Sequence, residues 1–183
     1  GMVKFTMNHA LTKASIYIKS KDVEDDKKVT AFSLTSAKSG TLTYHAPDAG
    51  NADDSGTGWT YSTPAETETF PAAAATATPG FAVPDTKAAE KKLLSTFFLL
   101  PRGEGSTFSI TYTAPGKLST GATITQTISL AGQPLPSLDQ WTQGAFITYT
   151  IGIEKKQITV TAATQPTWTD SGKETVTGSY TIT

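Results

Sequence analysis

The sequence contains no cysteine and only two histidines, His9 and His45, among its 183 residues. The absence of cysteine excludes disulfides, thiolate metal sites and cysteine nucleophiles, and it leaves the redox compartment open. No nucleophile elbow, phosphate-binding loop, dinucleotide fingerprint or zinc-protease motif occurs either. Because catalysis needs titratable groups that converge in a pocket, we predict that the protein is not an enzyme and has no cofactor. A glycosidase-like carboxylate pair stays open, since its two members can lie far apart in the chain.

Charge is also scarce, because Lys, Arg, Asp and Glu make up 17% of the chain and the formal net charge is -1. Such a balance gives no electrostatic basis for nucleic-acid binding. No apolar run approaches the length of a membrane span, and no signal peptide is present. The opening Gly1-Met2 is typical of a residue left after tag removal. We therefore expect any export signal to lie outside this chain.

Two acidic loops, Asp22 to Asp26 and Asp48 to Asp54, are the only clusters that suggest a metal site. Neither contains the Asp-x-Asp-x-Asp-Gly series of a calcium loop. Carboxylates of like charge are tolerated where water solvates them. We predict two solvated loops and no metal site.

The first testable prediction concerns calcium. The melting temperature should not change when calcium is added to millimolar concentration, because a ligand that binds only the folded state would raise it. Thermal unfolding followed by circular dichroism, with and without a chelator, measures this. A chelator-reversible rise of several degrees would contradict the prediction.

Threonine is abundant, with 34 copies, and apolar residues alternate with polar ones along most of the chain. Threonine is β-branched and favours pleated surfaces, and alternation with a period of two is typical of half-buried strands. The sequence therefore predicts an all-β protein whose antiparallel strands form one sandwich domain over residues 1–183. It predicts a single short helix, Lys87 to Leu94, which Asp85-Thr86 would cap.

The clearest local signal is a hairpin between Trp141 and Trp168. Two alternating runs flank the polar residues 154–157, as in an antiparallel pair of strands. Large aromatic side chains on alternating strands seldom face water together. The predicted core anchors are Trp141, Tyr149, Trp168 and Phe98. Phe98 belongs to the apolar run Phe97 to Leu100, which is typical of a central strand covered on both faces.

Other hairpins and a surface aromatic pair follow from the same pattern. A hairpin is predicted around Ser39-Gly40, with Phe32 and Leu34 on one side of the turn and Leu42 and Tyr44 on the other. Phe108 to Tyr112 is predicted to return beside Phe97 to Leu100. Trp59 and Tyr61 predict a short, partly buried edge strand. An alternative interpretation is that these two rings stack on sugars, as in a carbohydrate-binding surface module.

The tail, residues 174–183, is a self-contained amphipathic strand. Val176, Tyr180 and Ile182 share one face, with Gly178 between them. Two interpretations stay open. The strand either completes the domain's own sheet or acts as an assembly strand that pairs with another subunit.

Three segments together resemble Bacteroidales fimbrillin-like proteins. They are residues 5–13, the run Phe97 to Arg102, and the Trp-x-x-Gly, Tyr-Thr-Ile-x-Ile and Ile-Thr-Val series from Trp141 to Trp168. The resemblance implies a transthyretin-like Greek-key sandwich that forms the C-terminal part of a longer subunit. It also implies a fimbria at the outer membrane, a lipid-bearing N-terminal region outside this chain, and subunits joined by strand donation. Expected partners are other fimbrial subunits and host or bacterial surface ligands.

Overall fold

The computed structural model describes residues 9–20, 26–43, 58–62, 66–84, 90–154, 157–165 and 174–181. Twelve strands, one short α-helix and one turn of 3-10 helix (Leu138–Gln140) lie in these ranges. The strands are β1 (Thr12–Ser20), β2 (Lys28–Ala37), β3 (Thr41–Thr43), β4 (Gly58–Thr60), β5 (Thr67–Pro71), β6 (Phe81–Ala82), β7 (Lys92–Leu99), β8 (Thr107–Lys117), β9 (Thr123–Pro134), β10 (Phe146–Ile153), β11 (Gln157–Gln165) and β12 (Glu174–Thr181); the helix is α1 (Ala73–Thr76).

One five-stranded sheet, sheet A, has the order β12-β11-β10-β1-β7. Its neighbours pair antiparallel except for β1 and β10, which run parallel from Lys13 opposite Phe146 to Ser20 opposite Ile153. This parallel pair corrects the expectation of purely antiparallel strands. The reason is topological, since the two strands are far apart in the chain and no tight turn has to join them.

The other large sheet, sheet B, has the order β5-β2-β8-β9, with β6 also paired to β2. The short strands β3 and β4 form a separate hairpin. Two predicted hairpins are therefore wrong. Strand β2 pairs with β5, β6 and β8 rather than with β3, and β8 lies in sheet B whereas β7 lies in sheet A. Between β7 and β8 the chain crosses to the opposite sheet, where the two apolar faces can cover each other, whereas β3 after β2 leaves both large sheets and pairs with β4.

The core lies between the apolar faces of sheets A and B. Phe32 of sheet B contacts Phe97 of sheet A, with ring centroids 6.3 Å apart, and also stacks on Phe108 at 6.2 Å. Buried residues of both sheets form one hydrophobic cluster. The predicted all-β sandwich is confirmed.

The hairpin β10–β11 is confirmed where it was predicted, with Phe146 opposite Gln165 and Ile153 opposite Ile158. Alternate residues of both strands are buried in the core: Ile147, Tyr149, Ile151 and Ile153 of β10, and Ile158, Val160 and Ala162 of β11. Trp141 and Tyr149 are buried as predicted. The Trp141 indole Nε1–H donates to the Tyr149 hydroxyl at 2.6 Å, and that hydroxyl donates to the Pro136 carbonyl at 3.2 Å. The rings of Trp141 and Tyr149 thus fill the core, while the indole N–H and the phenol hydroxyl bond to each other.

Phe98 is not a core anchor, because 57% of its surface is exposed. Strand β7 is an edge strand of sheet A with only one face on the core, which takes Phe97 and Leu99 and leaves Phe98 outside. A register shift in the β1–β7 pairing keeps Leu94 on the buried face as well. Trp168 lies outside the described residues.

The helix is at a different place from the predicted one. Residues 92–94 of the predicted helix are the start of β7, and residues 85–89 lie outside the described part of the chain. Helix α1 lies instead in the Ala-rich segment between β5 and β6. Ala72 and Ala75 are buried in the core cluster, where their small side chains allow the helix backbone to approach the sheets.

The second testable prediction is that Tyr149→Phe lowers the free energy of unfolding by about 1–3 kcal/mol, because it leaves the buried Trp141 N–H without its acceptor. Urea unfolding measures the change. Tyr17→Phe, on the outer face of β1, is the matched control and should change stability by less than about 0.5 kcal/mol. Equal stability of the Tyr149 variant and the wild type would contradict the role of this bond.

A second buried tyrosine links the two sheets at one end of the sandwich. The Tyr112 hydroxyl of β8 donates to the Glu154 carbonyl, just beyond β10, at 3.0 Å. The ring is completely buried, and burial raises the pKa of Tyr112 to about 12 from its ordinary value of 10.0. Burial favours the neutral phenol over the phenolate in the folded state.

The third prediction follows from the sign of this shift. The unfolded chain releases the Tyr112 proton near pH 10 and the folded chain only near pH 12. The stability that the phenol contributes is therefore complete below pH 10 and is lost as the pH rises toward 12. Tyr112→Phe should lose less stability than the wild type between pH 9 and pH 12 in paired urea titrations. Identical pH profiles would contradict the prediction.

Candidate functional site at the sheet edge and the aromatic loop cluster

The C-terminal strand β12 lies at one edge of sheet A and pairs antiparallel with β11. Its backbone register puts Val176 opposite Ala162, Gly178 opposite Val160 and Tyr180 opposite Ile158. Those three β11 residues, Ala162, Val160 and Ile158, are buried in the core. The predicted alternating positions of the tail are therefore in register with the apolar row of the sandwich.

The tail pairs with its own chain in this structure, as the first of the two open interpretations predicts. Ile182, the last of the four predicted assembly positions, lies outside the described residues. In the described part of sheet A, β12 pairs with one neighbour, β11, whereas β11 pairs with both β12 and β10. A strand paired on one side only has fewer bonds to break when it leaves the sheet.

The predicted aromatic pair lies on the small hairpin and beside it. Trp59 of β4 and Tyr61 stack nearly parallel, with centroids 6.2 Å apart and an interplanar angle of 11°. The Arg102 guanidinium lies 5.2 Å from the centroid of the Tyr61 ring. The Trp59 indole N–H donates to the Ala10 carbonyl at 3.0 Å. This bond connects the β3–β4 hairpin to the segment just before β1.

Close packing around Tyr61 depends on one glycine. A Cβ atom added to Gly40 would lie 2.9 Å from the Tyr61 ring, so the ring can approach the backbone only there. The Tyr61 hydroxyl is buried and has no hydrogen-bond partner among the described residues. Burial raises the pKa of this phenol, and the nearby Arg102 partly opposes that rise.

Both rings of the pair are half-buried, and their contacts with Arg102 and Ala10 serve the packing of the loops. Trp59 is in the predicted short strand, and Tyr61 follows it. Arg102 was missed by sequence reasoning, because it is far from both aromatic residues in the chain. Whether this cluster binds a sugar stays a prediction.

Within the described ranges, no set of three or more His, Cys, Asp or Glu side chains comes together that could hold a metal ion. The second acidic loop and residues 22–25 of the first lie outside those ranges, so the prediction about calcium stays a prediction.

The described helices are also too short to cross a membrane.

The sequence was compared with known proteins in two ways. No protein-family model matches it. A search of the curated proteins found no match either. The similarity to fimbrillin-like proteins therefore stays a prediction from the three sequence segments.

Proposed function

We propose that this chain is a non-catalytic structural subunit of a cell-surface fimbria or fimbria-like adhesin and that subunits assemble by exchange of the C-terminal strand. The three fimbrillin-like segments motivate the location at the outer membrane. The lack of catalytic motifs supports a structural role. The partners are other copies or related subunits of the same fimbria.

The observation that carries the proposal is the position of β12. It is the last strand of the chain, it lies at the edge of sheet A, and it pairs with β11. An edge strand leaves a row of backbone donors and acceptors when it departs, and a strand from another chain can satisfy the same row.

Exchange conserves the contacts that hold the strand. A neighbour's β12 can adopt the register of the chain's own β12, with Gly178 opposite Val160. The folded contacts are then the same within one chain and between two chains. The balance depends on protein concentration and on the segment 166–173, which joins β11 to β12.

The fourth prediction uses the absence of cysteine in the chain. In the double variant Thr161→Cys/Thr177→Cys, the new cysteines occupy opposite positions of β11 and β12. Paired Cα atoms on antiparallel strands lie within the range that a disulfide spans. Oxidation at rising protein concentration should give a ladder of covalent oligomers on a non-reducing gel, because exchanged strands put the two cysteines on different chains.

The matched control is Thr113→Cys/Thr127→Cys, which bridges β8 and β9 inside sheet B. This variant should give only monomers, since these strands form one hairpin and are not exchanged. A ladder in both variants would indicate random collision. Monomers alone in the β11–β12 variant, at every concentration tested, would contradict assembly by exchange of this strand.

A further inference from the structure

The outer face of sheet A, which points away from the core, differs from an ordinary solvated sheet surface. Strand β1 turns Ala14, Ile16 and Ile18 inward, so its alternate positions lie on this outer face. The β1 register with β7 and β10 puts further aromatic, aliphatic and hydroxyl side chains beside them. The outer residues of these three strands are Leu93, Thr96, Phe98, Lys13, Ser15, Tyr17, Lys19, Phe146, Thr148 and Thr150.

Large apolar side chains lie in two rows across the strands. In one row Phe98 and Phe146 are on either side of Lys13, and in the other Leu93 lies opposite Tyr17. Phe98 is 57% exposed and Leu93 45% exposed. The two rows are four residues apart on β1, which is about 13 Å at the rise of a strand.

Between the two rows lie only small hydroxyl side chains. Ser15 is opposite Thr96 on one side and Thr148 on the other, and the Ser15 and Thr96 hydroxyls are 3.1 Å apart. Short side chains flanked by larger ones form the floor of a shallow trough. Ser15 itself is buried, so the half-buried Thr96 and Thr148 supply the accessible hydroxyls of the floor, and the walls offer apolar surface.

The charged side chains that the described part of β1, and Lys91 just before β7, bring to this face are lysines. Lys13 places its ammonium 4.6 Å from the centroid of the Phe146 ring, and Lys91 places its ammonium 4.7 Å from that of Tyr17. Lys19 is a third cation on β1. Strands β1, β7, β10 and β11 contain no Asp or Glu, although the whole chain has a net charge of -1.

We propose that this lysine–aromatic face, made by Lys13, Tyr17, Lys91, Phe98 and Phe146, binds an anionic glycan chain. Apolar ring faces can accept the carbon faces of pyranose rings, the hydroxyl floor can bond their hydroxyls, and the ammonium groups can pair with carboxylates. The ligand is a polysaccharide of uronic-acid type. The proposal goes beyond the structural role of the subunit and does not depend on strand exchange.

Charge density favours a glycan over a nucleic acid as the ligand. Duplex DNA carries one charge per about 1.7 Å, and proteins that bind it through phosphates commonly make about 6–10 such contacts. This face provides Lys13, Lys19 and Lys91, spread over two apolar rows. A polymer with one carboxylate per sugar ring, and with ring faces to stack, suits that arrangement better.

The experiment measures binding of polygalacturonate by isothermal titration calorimetry at low salt. The comparison ligand is the same polymer with its carboxylates methyl-esterified, which keeps the sugar rings and removes the charge. Lys13→Gln/Lys91→Gln should weaken binding of polygalacturonate about tenfold, since it removes two ion pairs with the carboxylates of the polymer. Phe98→Ala should also weaken binding, and its melting temperature shows whether the variant stays folded.

The matched control is Lys28→Gln/Lys38→Gln, which removes the same charge on and beside β2 of sheet B, away from the face. It should leave the affinity for polygalacturonate within about twofold of the wild type. Tighter binding of polygalacturonate than of its ester, with loss only in the Lys13/Lys91 and Phe98 variants, supports the proposal.

Four results would overturn it: no binding of polygalacturonate, equal binding of the ester, equal loss in the control variant, or tighter binding of a 30-nucleotide DNA.

Light scattering tests whether a second copy covers the face instead. A dimer that Phe98→Ala dissociates would also overturn the proposal. The oxidised Thr161→Cys/Thr177→Cys monomer can be titrated in the same way, so that a failure of strand exchange is separable from a failure of glycan binding.

Discussion

The interior position of β1 in sheet A, between β7 and β10, is the constraint on which the rest of the structure depends. This strand pairs with β7 on one side and with β10 on the other, so it joins β7 to β10, β11 and β12. The Thr12 hydroxyl also donates to the Thr142 carbonyl at 2.7 Å, which fixes the loop before β10. Contacts of such large sequence separation cost loop-closure entropy before they return any stability. The buried row Ala14, Ile16 and Ile18 offsets that cost by covering the face of sheet B.

Burial of one face of each sheet leaves two outer faces, and these differ in chemistry. On sheet B, hydroxyls bond in pairs, Thr35 with Thr69 and Thr111 with Ser129. On sheet A, the hydroxyls of Ser15 and Thr96 pair in the same way, but lysine ammonium groups also lie over Phe146 and Tyr17. Threonine suits both faces because its β-branched side chain favours strands whether or not its hydroxyl has a protein partner. The many threonines therefore favour the strands of both sheets. The lysines and aromatic rings on the outer face of sheet A are the groups that would contact the proposed ligand.

Local patterns predicted local structure well. The hairpin β10–β11 was predictable because its two alternating runs are joined by a few polar residues, and Trp141 and Tyr149 could be placed in the core from the same alternation. The exposure of Phe98 could not be read from the apolar run around it, because the run does not tell whether β7 is central or at an edge. Helix α1 was missed because its four residues are too few for a helical period.

Pairing between distant segments was much harder to predict. The parallel partner of β1 and the transfer of β2 and β8 to sheet B depend on which faces cover each other in three dimensions. The candidate sites show the same limit. Alternation in β1 placed Lys13 and Tyr17 away from the core residues, but nothing in the sequence indicated that Phe98 and Phe146 would be their neighbours. Arg102 was likewise brought to Tyr61 by tertiary contacts alone.

Hydrogen–deuterium exchange followed by mass spectrometry tests the central claim most directly, because it reads the protection of each strand. Strand β1 joins β7 to the rest of sheet A, and we propose that the edge strand β12 can leave the sheet. Amides of β1 and β10 should therefore exchange most slowly, and amides of β12 should exchange faster than either. Protection of β12 should also rise with protein concentration as strands pair between chains. Protection of β12 equal to that of β1, and unchanged by concentration, would contradict the account.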